Sequence, residues 1–147
     1  MSDRFPLRPD AVWYDAMRDR YGDAVPAIDR LRIRRGLQST AGDLYAQLRD
    51  LDLLRLVNIV SIVTLSARHV VVDALECPGI NEDARIAVDF ALEHYSGRLS
   101  ESCEHCGKPG EFIAKIGLEA LLNDPDAVLG DRLLCTQCYD DWSGRDA

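Results

Sequence analysis

Apolar residues near the start of the chain recur close to helical spacing. Val12, Trp13, Ala16, Met17 and Tyr21 fall along one face, which predicts a helix over Ala11–Tyr21. Asp10 stands at its N-cap and Gly22 at its stop. The residues before it, with Pro6 and Pro9, read as a loose arm. A short helix over Pro26–Arg35 is expected next, with proline in its first turn and Gly36 as the stop. Ser39 or Thr40 then caps a third helix, on which Leu44, Leu48, Leu51 and Leu54 share a face.

Between Leu56 and Leu75 the pattern turns ambiguous. LVNIVSIVTL and HVVVDAL are rich in β-branched residues, which suit strands. No turn signal interrupts residues 42–76, and a structureless or slipping strand of that length is not expected. The reading favoured is a long buried helix broken near Ser66–His69; a helix followed by two strands is the alternative. Cys77-Pro78-Gly79 ends this element. Asn81 caps the next helix, with Glu82 and Asp83 at its positive end. Ile86, Phe90 and the row Val88–Leu92–Tyr95–Leu99 give it an apolar stripe, and Gly97 or Ser100 ends it. The predicted fold class is therefore mainly α, with a helical domain over residues 1–100 and a smaller module over 101–147.

Composition narrows the class. Of 147 residues, 47% are hydrophobic and 29% charged, the balance of a globular chain. The richest apolar stretch, Leu51–Ala67, is interrupted by Asp52, Arg55, Asn58, Ser61 and Thr64, so no membrane span is expected. The opening MSDRFPLRPD is charged and carries two prolines, unlike a secretory leader. A cytoplasmic location is the expectation. The net charge is −8, the wrong sign for coating a polyanion. Residues 1–60 hold ten Arg against nine acids, so the deficit lies entirely in the second half.

Cysteine spacing carries the chemistry. Four of the five cysteines form two pairs, Cys103-x-x-Cys106 and Cys135-x-x-Cys138. In a reducing compartment such pairs point to metal or redox chemistry rather than structural disulfides. Two pairs can place four thiolates tetrahedrally around Zn2+. Gly107, directly after the second cysteine, lets the turn enter positive φ so that backbone N–H groups face sulfur. A redox dithiol normally uses one pair, and an iron–sulfur cluster also accepts four cysteines. Four thiolates close the shell, so the zinc is read as structural rather than catalytic. His105 points away from the metal on this reading, and Cys77 is a small core residue. Structural zinc supplies on the order of 10 kcal/mol of apparent folding free energy in small peptides, which would hold together a module poor in large apolar side chains.

The gap between the pairs, residues 107–134, is 28 residues long, above the roughly 15–20 usual for such sites. Glu111–Gly117 reads as a strand, Leu118–Asn123 as a helical turn and Asp124-Pro125-Asp126 as a turn. Leu133–Leu134 leads into the second pair, and Cys135 opens a short terminal helix through Trp142. The pattern Cys103-x-x-Cys106-Gly107-x-Pro109-Gly110, followed by a hairpin and Cys135-x-x-Cys138, resembles the zinc-ribbon and treble-clef modules of a group of small bacterial proteins. The resemblance covers about residues 103–142 and departs where Tyr139 stands in place of a second knuckle glycine. It implies a zinc fold and, for some members, a setting beside toxins or in phage-derived islands.

Other constellations are sparse. Arg30, Arg32, Arg34 and Arg35 form one basic cluster, read chiefly as a solvated face paired with the chain's own acids. His69 and His94 lack neighbours that would make a triad, and no glycine-rich phosphate loop occurs. The function expected is a non-enzymatic, zinc-binding interaction protein whose acidic surface suits a basic protein partner. The alternative is a nucleic-acid-binding transcriptional regulator using the zinc module or the Arg30–Arg35 cluster. An enzyme with a site in the helical domain is the third.

Overall fold

The computed structural model describes residues 7–115 and 131–145. The element order is α1 (Ala11–Tyr21), β1 (Leu31–Arg32), α2 (Gln38–Asp50), β2 (Val57–Ser66), β3 (His69–Glu76), α3 (Glu82–Ser100), β4 (Phe112–Lys115), β5 (Asp131–Leu134) and α4 (Thr136–Arg145). Residues 1–6 of the N-terminal arm, Leu118–Asn123 and the turn at Asp124–Asp126 lie outside the described residues.

The strands overturn the mainly α expectation: the fold is mixed α/β, with two sheets. Residues 57–76 form a β-hairpin rather than a buried helix. Two local features hid it. The first is a bulge: pairing with β3 shifts register between Ile59 and Ser61. The buried set therefore jumps from Val57 and Ile59 to Ile62 and Thr64. An extra residue inverts the phase of a strand, so clean alternation disappears from the sequence. The second is turn chemistry. The chain reverses at Ala67–Arg68 with Arg68 at φ 66°, a conformation usually given to glycine or asparagine. The end of α2 is concealed in the same way. Leu53 N–H donates to Leu48 C=O at 2.7 Å and Asp52 N–H to Arg49 C=O at 2.9 Å. This is a Schellman closure with Asp52, at φ 57°, in the position that glycine normally takes.

β2 is the centre of a three-stranded sheet. It pairs antiparallel with β3 and parallel with β1, where Leu31 lies opposite Ile62 and Arg32 opposite Val63. α2 packs on α3, and α3 on β3. The core between them contains Leu31, Ile33, Leu44, Tyr45, Leu48, Ile59, Ile62, Val88 and Leu99. α3 also closes part of the open edge of β3: the Ser100 hydroxyl accepts from Val70 N–H at 3.0 Å, and the Ser96 hydroxyl donates to Val70 C=O at 2.9 Å.

α1 has the bounds that the spacing predicts, although the Asp10 side chain makes no cap bond. Gln38 is its partner instead: Gln38 Oε1 accepts from Asp10 N–H at 2.6 Å, and Gln38 Nε2 donates to Asp10 Oδ2 at 3.3 Å. Trp13 and Tyr14 pack against the core, and the Tyr14 hydroxyl donates to Pro26 C=O at 2.6 Å. The helix predicted over Pro26–Arg35 is a 3-10 turn at Ile28–Arg30 leading into β1. α2 grows out of a second 3-10 turn at Arg35–Leu37, so neither Ser39 nor Thr40 caps it. Asn81 does cap α3, its Oδ1 accepting from Ala84 N–H at 2.8 Å. The predicted stripe of α3 divides. Val88, Tyr95 and Leu99 are buried, whereas Ile86 and Phe90 are 57% and 73% exposed.

Candidate metal centre

Past the end of α3 the chain turns through Ser102–Pro109, which form an isolated antiparallel bridge. Inside that bridge Cys103 N–H donates to Lys108 C=O at 2.6 Å and Gly107 N–H to Cys103 C=O at 3.0 Å. Gly107 sits at φ 88°, as the sequence predicts. β4 and β5 then pair antiparallel, Phe112 opposite Leu134 and Lys115 opposite Asp131. β5 delivers Cys135 to the N-cap position of α4, and Cys138 lies in its first turn. Stacking of Phe112 on Tyr139, with ring centroids 4.9 Å apart, ties β4 to α4.

These elements bring Cys103, Cys106, Cys135 and Cys138 together, with all four Sγ atoms within 4.8 Å of one another. Among the described residues this is the only such group of potential metal ligands. A tetrahedral ion bound at 2.3 Å needs sulfurs about 3.8 Å apart; Cys106 Sγ and Cys135 Sγ are 3.5 Å apart. The donors are all soft thiols, and the set fits a metal ion. Cys103, Cys135 and Cys138 are buried, while Cys106 faces solvent.

Crowding splits the acidities of Cys106, Cys135 and Cys138. Burial, reinforced by the Cys135 and Cys106 sulfurs, pushes the Cys138 thiol far above its ordinary range. Desolvation raises Cys106 too, helped by the Cys135 and Cys103 sulfurs and opposed by the Lys108 backbone and by Cys138. At Cys135 burial also works upward, but the Cys138 amide, 3.5 Å from its sulfur, and the surrounding thiols outweigh it and hold this thiol low. The start of α4 adds its positive end to the same site. Four thiolates in so small a volume repel one another, and a bound cation removes that conflict.

The centre is not an isolated loop. Glu104, inside the first Cys pair, is buried and ion-paired with the equally buried Arg34, Nη1 to Oε1 at 2.5 Å. Arg34 is therefore not part of a solvated basic face; only Arg30, Arg32 and Arg35 of that cluster are exposed. Sequence reading missed Glu104 and the role of Arg34. Nothing in local spacing links residues 70 apart. Cys77 stays outside the cluster and is partly exposed rather than buried, its Sγ 3.5 Å from Arg55 C=O. His105 does not join the ligand group. His69 and His94 are both exposed, and the His94 ring meets Tyr95 edge-on, with centroids 5.0 Å apart.

A second feature lies between α2 and α3. Leu51, Ile86 and Phe90 border a cavity of about 620 Å3 between α2 and α3, with Gln47, Asp83 and His94 at its polar margin. Leu51 is 50% exposed. Beside the Ile86–Phe90 ridge, Glu82, Asp89 and Glu93 of α3 and Glu76 of β3 are exposed. The Glu76 carboxyl is held above its usual range by desolvation and by the adjacent Asp89, against the pull of Arg85.

No helix among the described residues is long and apolar enough to cross a membrane. No protein-family model, curated protein or solved structure matches the chain.

Proposed function

We propose that this is a non-enzymatic interaction protein whose C-terminal module is built on a structural Zn2+ held by Cys103, Cys106, Cys135 and Cys138. The convergence of four Sγ atoms within 4.8 Å carries this reading. Four soft thiolates are the donor set of a closed zinc shell, with no position left for a reacting water. A cysteine knuckle, a hairpin and a helix that carries the last ligand make up the treble-clef arrangement, and zinc is its usual occupant. Elemental analysis of the purified chain should give one zinc per molecule; iron with visible absorbance, or no stoichiometric metal, overturns the assignment.

The partner proposed is a basic protein segment, docked along the Leu51, Ile86 and Phe90 ridge. Exposed large apolar side chains bordering a groove suit an amphipathic helix, and the carboxylates of Glu76, Glu82, Asp89 and Glu93 complement cationic flanks. The net charge of −8 favours the same class. The regulator reading keeps less support, because burial of Arg34 leaves three exposed arginines in its only basic cluster. Titration with an 18-residue Leu/Lys helical peptide tests the surface. It should bind where a Leu/Glu peptide does not, and Phe90→Ala should weaken it about tenfold. Equal binding by both peptides, or no effect of Phe90→Ala, overturns the docking surface. A submicromolar DNA or RNA complex lost on Arg30→Glu/Arg32→Glu would instead favour the regulator.

A further inference from the structure

Every polar group of Glu104 is used, and each use joins two separate parts of the chain. Oε1 meets Arg34 at 2.5 Å and Oε2 accepts from Leu133 N–H at 2.8 Å. Its backbone N–H donates to Leu133 C=O at 2.9 Å, and its backbone C=O accepts from Gly36 N–H at 3.1 Å. Leu133 lies two residues before Cys135, so Glu104 bonds the first cysteine pair to the strand that delivers the second. Through Arg34 and Gly36 the same residue bonds both to the segment following β1.

The two backbones also meet without room for side chains. A Cβ on Gly36 would overlap the main chain of Cys103 and Glu104, and one on Gly107 would stand 2.7 Å from Gly36 C=O. The metal turn is thus seated directly on residues 34–36, against the sheet domain. An ion pair this deeply buried is unfavourable to break from one side, because the remaining charge stays desolvated.

We infer that Arg34 and Glu104 are positioning residues of the metal centre: they hold the two cysteine pairs in register and link metal affinity to the seating of the module on residues 34–36. The inference rests on the four-cysteine site being a zinc site. Groups that orient the ligands of a metal typically change its affinity by roughly 10–100-fold when removed. Linkage is reciprocal, so zinc in turn clamps the segment after β1.

The test uses the full chain, with Zn2+ affinity read by competition against a chromophoric chelator and ligand geometry by the Co2+ spectrum. Arg34→Met and Glu104→Gln should each weaken zinc binding by roughly 10–100-fold and broaden the Co2+ bands. Arg34→Met/Glu104→Gln should lose less than the product of the two, since neither charge is then left alone. Arg34→Lys should recover part of the loss, and the exposed neighbour Arg32→Met should bind as wild type. Unchanged affinity in both single variants, with one zinc per chain, overturns the inference and leaves the zinc site standing. A wild-type chain that binds no zinc overturns both. Should the variants fail to fold, hydrogen exchange on the wild-type chain decides. Zinc removal should deprotect the Gly36 and Leu133 amides while Ile62 in β2 stays protected, and equal protection of Gly36 with and without zinc overturns the inference.

Discussion

Tyr45 is wholly buried beneath Tyr21, with ring centroids 5.4 Å apart, and its hydroxyl has no hydrogen-bond partner among the described residues. A desolvated, unmatched hydroxyl costs about 1–3 kcal/mol, while the ring supplies the packing. Tyr45→Phe is therefore expected to raise stability by about 1 kcal/mol in urea unfolding. Burial, then the nearby Tyr14, pushes the Tyr45 pKa far above its ordinary value. An unfolded chain releases this proton near pH 10, whereas the folded chain retains it. Above that pH the native state binds more protons than the unfolded one, so stability falls as pH rises. The Phe variant should lack that part of the alkaline decline, and the same loss in both proteins would show that the burial is incomplete.

Among the elements, the β2–β3 hairpin depends on a turn that its residues suit poorly. Arg68 occupies the left-handed region at φ 66°, which costs an L-residue about 1–2 kcal/mol. Glycine escapes that cost but gives back part of it through the entropy of the unfolded chain. Arg68→Gly is expected to be neutral or stabilising by up to about 1 kcal/mol, and Arg68→Val, β-branched, to destabilise by about 1 kcal/mol or more. Thermal unfolding of the two variants should place Gly above Val; the reverse order would mean a different turn conformation. The reading of residues 42–76 as unbroken failed at Asp52 and Arg68, the two non-glycine residues at positive φ among the described residues. Side-chain chemistry there does not announce the backbone it adopts, and the bulge at Ile59–Ser61 removed the alternation that would have disclosed a strand. α1 and the Asn81 cap of α3 were legible because their signals are local.

For the whole molecule, charge bears on the ridge of α2 and α3 and the metal on the cysteine module. Binding of a cationic Leu/Lys peptide to a chain of net charge −8 should depend on long-range attraction, which is screened beyond about 8 Å at physiological ionic strength. The on-rate should fall several-fold between 50 and 500 mM NaCl while the off-rate changes little, as stopped-flow mixing would measure. A salt-independent on-rate would leave the apolar ridge as the sole determinant. Zinc removal should unfold the module spanning Ser102 to α4 and leave most of the sheet domain intact. Its core cluster is separate and draws on Leu44, Tyr45, Ile62 and Leu99 rather than on cysteine ligation. Chelator-treated protein that loses its entire near-UV signal would show one cooperative unit.

Features whose information lies within a few residues could be read from the chain alone. The cysteine cluster was legible because two CxxC pairs place soft donors at the fixed short spacing a metal site uses, and Gly107 because the turn after the first pair takes a positive φ. The strand read over Glu111–Gly117, described at Phe112–Lys115, and the helix read from Cys135, which begins at Thr136, were legible from local apolar spacing. That Ile86 and Phe90 face outward while Val88 and Leu99 face in came from the packing of α3, since one apolar stripe is compatible with either arrangement. The fold likewise made Arg34 a buried partner of Glu104 rather than a surface charge. Their 70-residue separation is closed by the sheet and by the approach of Gly36 to Cys103 and Glu104. A charge reads as solvated from its neighbours along the chain, and only the fold brings the carboxylate that makes its burial tolerable.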